Sequence, residues 1–457
     1  MVLAAAFLGV SRLVAGAGPA EEAPGPVRPN VLVILADDLA DWHLGCYGNQ
    51  EIKTPHLDRL AREGIRMANS FVATPICSPS RATFFTGRVP RQHGIHDFLT
   101  GGGAPARNPE QGQREPPASF RDEVMVSDLL AAGGYECGYV GKWHMGGDGT
   151  PQHGYSYWRG ALRGSRYVDP EFAVDGRTVM EPGYATEVFT RLAVEFIRRP
   201  HARPWFLVAS YHNPHVPYDD HPRKYYDLYR ETRFESFGIE PRAPNALREG
   251  NYLDDPIANL RKAAAATTAL DDQIPVLLAA LDETGARSRT LVLFTGDNGF
   301  LYGRHGAWSK GWATNPINLY EEVVRVPLIF SFPGTLPGGR VLGEFVSFYD
   351  VLPTLLEACG LPERFDRERL CGRSYWQILR GERREWENAV FFNFRYASGI
   401  RTERFKLVLR GGEGPDELFD LAADPREKTN RIGDPALAET REALRKKLEA
   451  WLDKYRA

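Results

Sequence analysis

Asp37-Asp38 follow directly on the apolar run 31–36, and Asp297-Asn298 follow on the run 291–295, with Gly296 and Gly299 allowing the chain to turn. Three carboxylates and an amide form an all-oxygen donor set, which suits a hard cation, Ca²⁺ or Mg²⁺, rather than Zn²⁺. Taken singly, either pair reads as a turn or a helix cap. Two such pairs at two strand ends, together with the Cys77 segment, read as a site. Cys77 opens the segment Cys77-Ser78-Pro79-Ser80-Arg81, in which Pro79 suits a first helical turn and residues 82–86 can continue it. Position 77 then falls at a helix N-terminus, where free N–H groups and the helix dipole favour an anion and lower a thiol pKa. Arg81, one turn on, would reach back to orient that side chain and offset negative charge. Lys142 and His144 follow the apolar run 135–140, His212 and His215 follow 205–210, and Lys310 lies in the Gly- and Trp-containing stretch 305–311. A lone Lys or His at such a place is a solvated or capping group; the set supplies charge and proton transfer.

These groups need a frame that brings distant segments together. Short apolar runs alternate with helix-like stretches, the pattern of an α/β fold with a mainly parallel sheet. The run 31–36 lacks polar alternation and reads as a strand buried on both faces; 135–140, 205–210, 291–295 and 326–331 are further strands. Residues 54–63 read as a helix with Thr54 as N-cap, Pro55 in the first position, Leu57 and Leu60 inward and Gly64 as the stop. Helices are expected at 263–281, ended by Gly285, and at 349–358, ended by Gly360. In open α/β sheets ligands bind beyond the carboxyl ends of the strands, so the two acidic pairs can converge there. The Gly/Pro/Gln-rich stretch 99–117 is expected as an exposed loop near the site entrance, and 214–255 as a second irregular region, where selectivity usually resides. From about residue 387 the pattern changes: 390–394, 399–401 and 405–409 read as short antiparallel strands and 435–455 as a helix.

Composition is that of an ordinary globular protein, with 43% hydrophobic and 25% charged residues. A net charge of -3 gives no support to nucleic-acid binding or to a polybasic membrane surface. No apolar run reaches the ~18 residues of a membrane span. Residues 2–10 are apolar and precede Ala15-Gly16-Ala17, a small-residue cleavage pattern, so residues 1–28 are expected to be a signal peptide and linker and the protein to be exported, periplasmic or extracellular. The five cysteines fit no metal spacing; Cys359 and Cys371 are the one pair near enough in sequence to suggest a bridge.

The stretch from Cys77 through Arg81 and on to Thr86-Gly87-Arg88 resembles the sulfatase signature, in which the cysteine is oxidised to formylglycine, the catalytic aldehyde. Gly141-Lys142-Trp143-His144-Met145-Gly146 resembles a second sulfatase element, with Met145 where Leu is usual, a volume-conserving change. His212-Asn213-Pro214-His215-Val216-Pro217 is similar to a third, Lys310 to the family's second lysine, and 319–328 to the approach to a later strand. The chain is therefore identified as a member of the sulfatase family over about residues 30–421. The resemblance implies an alkaline-phosphatase-like large domain at 29–385, α/β with a mostly parallel central sheet flanked by helices, and a small α+β C-terminal domain at 386–457. It implies one divalent cation, usually Ca²⁺ with Mg²⁺ as the other option, held by Asp37, Asp38, Asp297, Asn298 and an oxygen of modified Cys77.

Carried over residue by residue, the resemblance implies that one hydroxyl of the aldehyde hydrate at Cys77 attacks sulfur, forming a covalent sulfated intermediate. Lys142, Lys310 and Arg81 stabilise the sulfuryl oxygens, His215 with Lys310 protonates the departing alcohol, and His144 deprotonates the second hydroxyl to expel sulfate. The implied partners are a sulfated small molecule or glycan and a formylglycine-generating or anaerobic sulfatase-maturating enzyme. Asp97, Arg304, His305 and Trp308, with Trp312, are candidates for the substrate pocket, because Trp faces stack on sugars and aryl groups alike. Two other readings share these residues: a phosphodiesterase or phosphonate monoester hydrolase using the same site, and a non-catalytic sulfated-glycan-binding protein. The second has no need of His144, His215 and both lysines.

Overall fold

The computed structural model describes residues 28–100 and 118–456, apart from positions 148, 163, 249 and 365–367. The expected signal peptide, but for its last residue, and most of the 99–117 loop lie outside them. Among the described residues no helix is long and apolar enough to cross a membrane.

The frame is a ten-stranded sheet. Its strands are β1 Asn30–Asp37, β2 Ile65–Phe71, β3 Glu136–Gly141, β4 Tyr155–Ala161, β5 Glu171–Val174, β6 Arg177–Met180, β7 Trp205–Pro214, β8 Thr290–Gly296, β9 Leu328–Ser331 and β10 Arg340–Ser347. The order is β10-β2-β9-β8-β1-β7-β3-β4-β5-β6. The middle four, β8, β1, β7 and β3, run parallel, each paired to the next. Every residue of β1 is buried. Because side chains alternate along a strand, Val31, Val33 and Leu35 enter one hydrophobic layer while Leu32, Ile34 and Ala36 enter the other. Two-sided burial explains the unbroken apolar run. The expected strand at 326–331 is the antiparallel β9, set between β8 and β2.

Several helix and bridge expectations change in the structure. The helix expected at 263–281 is two helices, Pro256–Asp271 and Ile274–Glu283. Pro275 has no N–H to continue the ladder across the break, and the first helix starts early because Asp255 accepts the Ala258 N–H at 3.0 Å. Thr54 precedes its helix but does not cap it. Its hydroxyl accepts from Gly45 N–H and donates to Asp58, while the free N–H groups of His56 and Leu57 go to the Asp271 carboxylate at 3.0 and 2.7 Å. Cys359 and Cys371 are not bridged: all five cysteines are free. Cys359 packs in the main core, whereas Cys371 lies beside Trp451 and donates to Gln92 Oε1 at 2.9 Å.

A second, antiparallel sheet of four strands is formed by β11 Ala389–Phe394, β12 Ala397–Thr402, β13 Phe405–Leu409 and β14 Glu417–Asp420. The helix Ala438–Lys454 covers one face, with Leu444 and Leu448 against Ile400, Leu407 and Leu418. Phe392, Phe394 and Val408 pack with Ala307, Ala313 and Ile317, which belong to the segment carrying Lys310. Lys406 is fully buried at this junction, bonded to the Leu319 carbonyl at 2.7 Å, to Glu321 at 3.1 Å and to Glu427 at 2.5 Å.

Candidate active site

Four neighbouring parallel strands deliver the polar residues to one end of the sheet. β1 ends on Asp37, with Asp38 next; β8 ends at Gly296, ahead of Asp297 and Asn298; β3 ends at Gly141, ahead of Lys142. β7 runs further than expected, to Pro214, so His212 and Asn213 lie within the strand and only His215 beyond it. Gly141 is required at its turn. Its φ is +103°, and a Cβ there would sit 1.9 Å from the Ser210 carbonyl oxygen, the same carbonyl that accepts the Lys142 N–H at 2.9 Å.

Cys77 begins the helix Cys77–Thr86, every residue of which is buried. Its sulfur lies 3.2 Å from Asp37 Oδ1 and 2.8 Å from Lys310 Nζ. One ligand atom each from Asp37, Asp38, Cys77 and Asp297 lie within 4.8 Å of one another, all buried. Lys142 Nζ binds Asp37 Oδ2 at 2.5 Å, and Lys310 Nζ binds Asp38 Oδ1. Asn298 Nδ2 donates to Asp38 Oδ1 at 2.7 Å. Asp38 Oδ2 and Asn298 Oδ1 are buried with no hydrogen-bond partner. Orphaned oxygens at such depth are costly, and here both belong to an all-oxygen donor set. The set fits a hard divalent cation.

Charge balance inside this ring is uneven. Burial pushes the Asp37 carboxyl up, but Lys142, with His215, Arg81 and Lys310, outweighs it and holds Asp37 well below the usual carboxylate range. Burial and the facing Asp37 carboxylate push Asp297 up to about 6. Burial opposes the Lys310 and Lys142 charges, yet Asp38 and Asp37 respectively hold both ammonium groups above their ordinary value. The Cys77 thiol departs from expectation: burial, then Asp297 and Asp37, raises it well above the ordinary thiol value. A helix N-terminus carries only about half a charge, and desolvation beside carboxylates overrides it.

Arg81 is also placed differently. Its Nε pairs with Asp297 Oδ2 at 2.8 Å, and its Nη1 donates to the Lys142 carbonyl at 2.7 Å and Ser210 Oγ at 2.8 Å. Only Nη2 is left without a partner. His144 has a left-handed backbone, φ +59°, and its Nε2 lies 3.0 Å from the Leu99 carbonyl. A carbonyl can only accept, so Nε2 carries the proton and Nδ1, buried and unpartnered, is the free base. Burial and Lys142 keep this imidazole well below its usual pKa. His215 donates Nδ1–H to the Val216 carbonyl and turns Nε2 toward Asp38 Oδ2 at 3.7 Å. Burial lowers His215, and Asp37 and Asp38 oppose it.

Residues 29–361 match the Sulfatase family, and residues 303–454 match N-sulphoglucosamine sulphohydrolase, C-terminal. The uncharacterized sulfatase YidJ of Escherichia coli is 30% identical, over 94% of this chain and 88% of its own length. The N-acetylglucosamine-6-O-sulfatase of Bacteroides thetaiotaomicron is 26% identical, over 94% of this chain and 87% of its own. The chain belongs to the sulfatase family. A solved structure in complex with its substrate D-glucosamine-2-N,6-O-disulfate superposes on this sulfatase with a TM-score of 0.76, covering 94% of this chain and 98% of that one at 24% identity.

The sulfatase's expected substrate residues scatter. Arg304 lies 3.7 Å above the Trp42 ring and its Nε donates to the Phe237 carbonyl. His305 pairs with Glu322 at 3.1 Å and stacks on Tyr320 at 3.7 Å. Trp308 is buried against Tyr252, Tyr302 and Phe300. These contacts are packing and ion pairing beside the carboxylate ring. Trp312 lies 5.3 Å from Phe98, whose ring is 4.6 Å from His144; Asp97 pairs with Arg395. Motif spacing missed three supports: Ser210, which bridges Arg81 and the Lys142 carbonyl; Tyr139, whose hydroxyl donates to that carbonyl; and Tyr302, which donates to the Asp38 carbonyl at 3.2 Å. Only their register at strand ends would have revealed them.

Proposed function

We propose that this sulfatase hydrolyses a sulfate ester of a sulfated carbohydrate, using Cys77 after its oxidation to formylglycine by a maturating enzyme. One observation carries the reading: the Cys77 side chain is the common neighbour of Lys310 and Asp37 in a fully buried ring, where burial, with Asp297 and Asp37, raises its thiol pKa. A buried thiol of raised pKa is a poor nucleophile. An aldehyde at the same position takes up water as a geminal diol, and a diol oxygen needs no thiolate.

One diol hydroxyl passes its proton to the adjacent Asp37 carboxylate as its oxygen attacks sulfur in line. The bond from sulfur to the substrate alcohol breaks, and the alcohol takes a proton from the His215–Lys310 side, which the proton released to Asp37 restores. Lys142, Lys310 and the free Nη2 of Arg81 offset charge on the sulfuryl oxygens, typically the largest share of catalysis. His144, its Nδ1 free of protons, then takes the proton of the second hydroxyl; the carbonyl reforms, the carbon–oxygen bond to sulfate breaks, and the aldehyde is restored. A divalent cation held by Asp37, Asp38, Asp297 and Asn298, Ca²⁺ in our reading, would add Lewis-acid stabilisation of the same oxygens.

A carbohydrate substrate is supported by the B. thetaiotaomicron relative, named for N-acetylglucosamine-6-O-sulfate, and by the glucosamine disulfate bound in the structural neighbour. The apolar run 2–10 ahead of Ala15-Gly16-Ala17 supports export, to the periplasm or the outside, where such substrates are met.

Peptide mass spectrometry of active protein, with sulfate release measured from 6-O-sulfated N-acetylglucosamine, an aryl sulfate and a phosphodiester, tests the reading. The expected result is an aldehyde or its hydrate at position 77 and preferred turnover of a sulfated sugar. Full activity with wholly unmodified cysteine, or preferred turnover of the phosphodiester, overturns it.

A further inference from the structure

The turn joining β11 to β12 is tied to three parts of the site. The Asn393 N–H donates to the Ala73 carbonyl at 2.9 Å, and the Asn393 carbonyl accepts from Thr74 Oγ1 at 2.7 Å, just ahead of Cys77. A Cβ on Gly311, the residue after Lys310, would come within 2.9 Å of the Phe394 ring, and Tyr396 Oη accepts the Ile317 N–H at 3.1 Å. Arg395 binds Asp97 through Nε at 2.7 Å and Nη2 at 2.5 Å, next in sequence to Phe98, whose ring meets His144. The turn is thus anchored beside the nucleophile, the second lysine and the base.

Its two residues are an unusual choice. Arg395 and Tyr396 form a two-residue link between the strands, and Arg395 has φ +48°. Glycine favours that position in a tight hairpin, and a long side chain there strains the backbone by about 1 kcal/mol or more. Strain of this kind clusters at active sites and ligand clamps. Beside the turn lies a recess of about 250 Å³ whose lining includes Arg91, His96, Asn393, Arg395, Tyr396 and Ser398. All of these residues carry hydrogen-bonding groups and two are guanidinium ions. The neighbouring carboxylate, Asp97, is engaged by Arg395 and by the Phe98 N–H at 2.8 Å. It fixes the direction of the Arg395 fork.

We propose that this recess is a second anion subsite of the sulfatase centre, binding a carboxylate or a further sulfate of the saccharide whose scissile ester lies at Cys77. The inference rests on the carbohydrate sulfatase reading above. Guanidinium groups bind either anion by charge-assisted N–H bonds. Asp97 holds Nε and Nη2 of Arg395 and the Leu452 carbonyl takes Nη1 of Arg91, so each arginine supplies its charge and its remaining N–H groups, and Asp97 acts as a positioning residue.

The test compares kcat/KM for a neutral sulfated disaccharide, the same disaccharide bearing a uronic carboxylate, and the same bearing a second sulfate, with an aryl sulfate as reference. The unsubstituted protein should prefer at least one doubly anionic substrate over the neutral one by tenfold or more, mostly in KM; which one identifies the anion. Arg395→Gln and Arg91→Gln should each reduce that preference by about tenfold, in line with loss of one charge-assisted bond. Arg395→Gln uncovers Asp97. If that variant melts early, Arg91→Gln, whose guanidinium meets the Leu452 carbonyl at 3.2 Å, carries the comparison alone. Equal turnover of neutral and anionic disaccharides, or variants of normal melting midpoint that keep the full preference, overturns the subsite while the sulfatase reading stands. Failure of the unsubstituted protein to cleave any sulfated sugar while it cleaves the aryl sulfate overturns both.

Discussion

Asn298 gives its amide N–H to Asp38 Oδ1 at 2.7 Å, and the same carboxylate oxygen also takes the Lys310 ammonium, so each residue of the pair retains one buried oxygen with no partner. The amide thus orients the carboxylate and also offers a donor oxygen of its own. Removal of the whole amide would take that oxygen from the proposed cation site and, with the N–H gone, free Asp38 to turn.

Asn298→Ala is therefore expected to lower Ca²⁺ affinity by about 10-fold to 100-fold, the usual cost when a group that orients metal ligands is lost. Calorimetric titration of Ca²⁺ into chelator-treated protein measures it. The rise in melting midpoint on adding Ca²⁺ should shrink in parallel, because a ligand that binds only the folded state stabilises by mass action. An unchanged affinity in the variant would show that Asn298 is no ligand.

The parts of this site that could be read in the sequence sit in single motifs at the ends of apolar runs: Asp37-Asp38, the Cys77 segment, Lys142 and His144, Asp297-Asn298. A fully buried parallel strand is an unbroken apolar run, so its carboxyl end is visible without a structure. The Cys77 thiol behaves against its sequence for the opposite reason. Local sequence shows the helix N-terminus but not the depth of burial or the approach of Asp297, distant in the chain, and those decide its pKa. Ser210 and Tyr302 were invisible because their partners, the Lys142 and Asp38 carbonyls, come from other segments. Arg304, His305 and Trp308 look like a binding surface by composition. In the structure the buried Glu322 carboxylate engages Arg304 and His305, and Trp308 packs in the Tyr252–Tyr302 cluster, contacts that come from distant segments and that composition does not show.

Gly141→Ala should be damaging out of proportion to its size. The new Cβ would fall 1.9 Å from the Ser210 carbonyl oxygen at a φ of +103°, and the strand must shift to admit it. A loss of roughly 2 kcal/mol or more in stability is expected, read from the denaturant midpoint. The following residue is Lys142, so kcat should also fall in the fraction that remains folded. A variant with normal stability and activity would mean that the β3–β7 junction relaxes freely.

Asp271 gives a pH signature away from the centre. Burial raises its carboxyl to about 7 even though it accepts the His56 and Leu57 N–H groups. An acid raised in the folded state keeps its proton where the unfolded chain has released it, so its contribution to stability is present below about pH 4 and is lost as pH rises toward 7. Relative to Asp271→Asn, the unsubstituted protein should therefore lose stability across that window, with a slope approaching about 1.4 kcal/mol for each pH unit. Urea denaturation of both proteins across that range checks the slope; parallel curves would refute the raised pKa.

The two histidines should fail differently. His215 turns Nε2 toward Asp38, on the side where Lys310 also lies, whereas His144 is fixed by the Leu99 carbonyl with Nδ1 free. If His215 protonates the departing alcohol, His215→Ala should slow alkyl sulfates far more than an activated aryl sulfate, by up to the ~10²–10⁴-fold that a general acid supplies. An activated phenolate leaves with little help. If His144 takes the proton of the second hydroxyl, His144→Ala should still form the sulfated intermediate and then stall, giving one turnover and a peptide around residue 77 heavier by a sulfate group. The measurements are the alkyl-to-aryl rate ratio for each variant and mass spectrometry of the quenched enzyme. Equal loss of both substrates in both variants, with no covalent species in either, would mean that neither histidine has the role proposed for it.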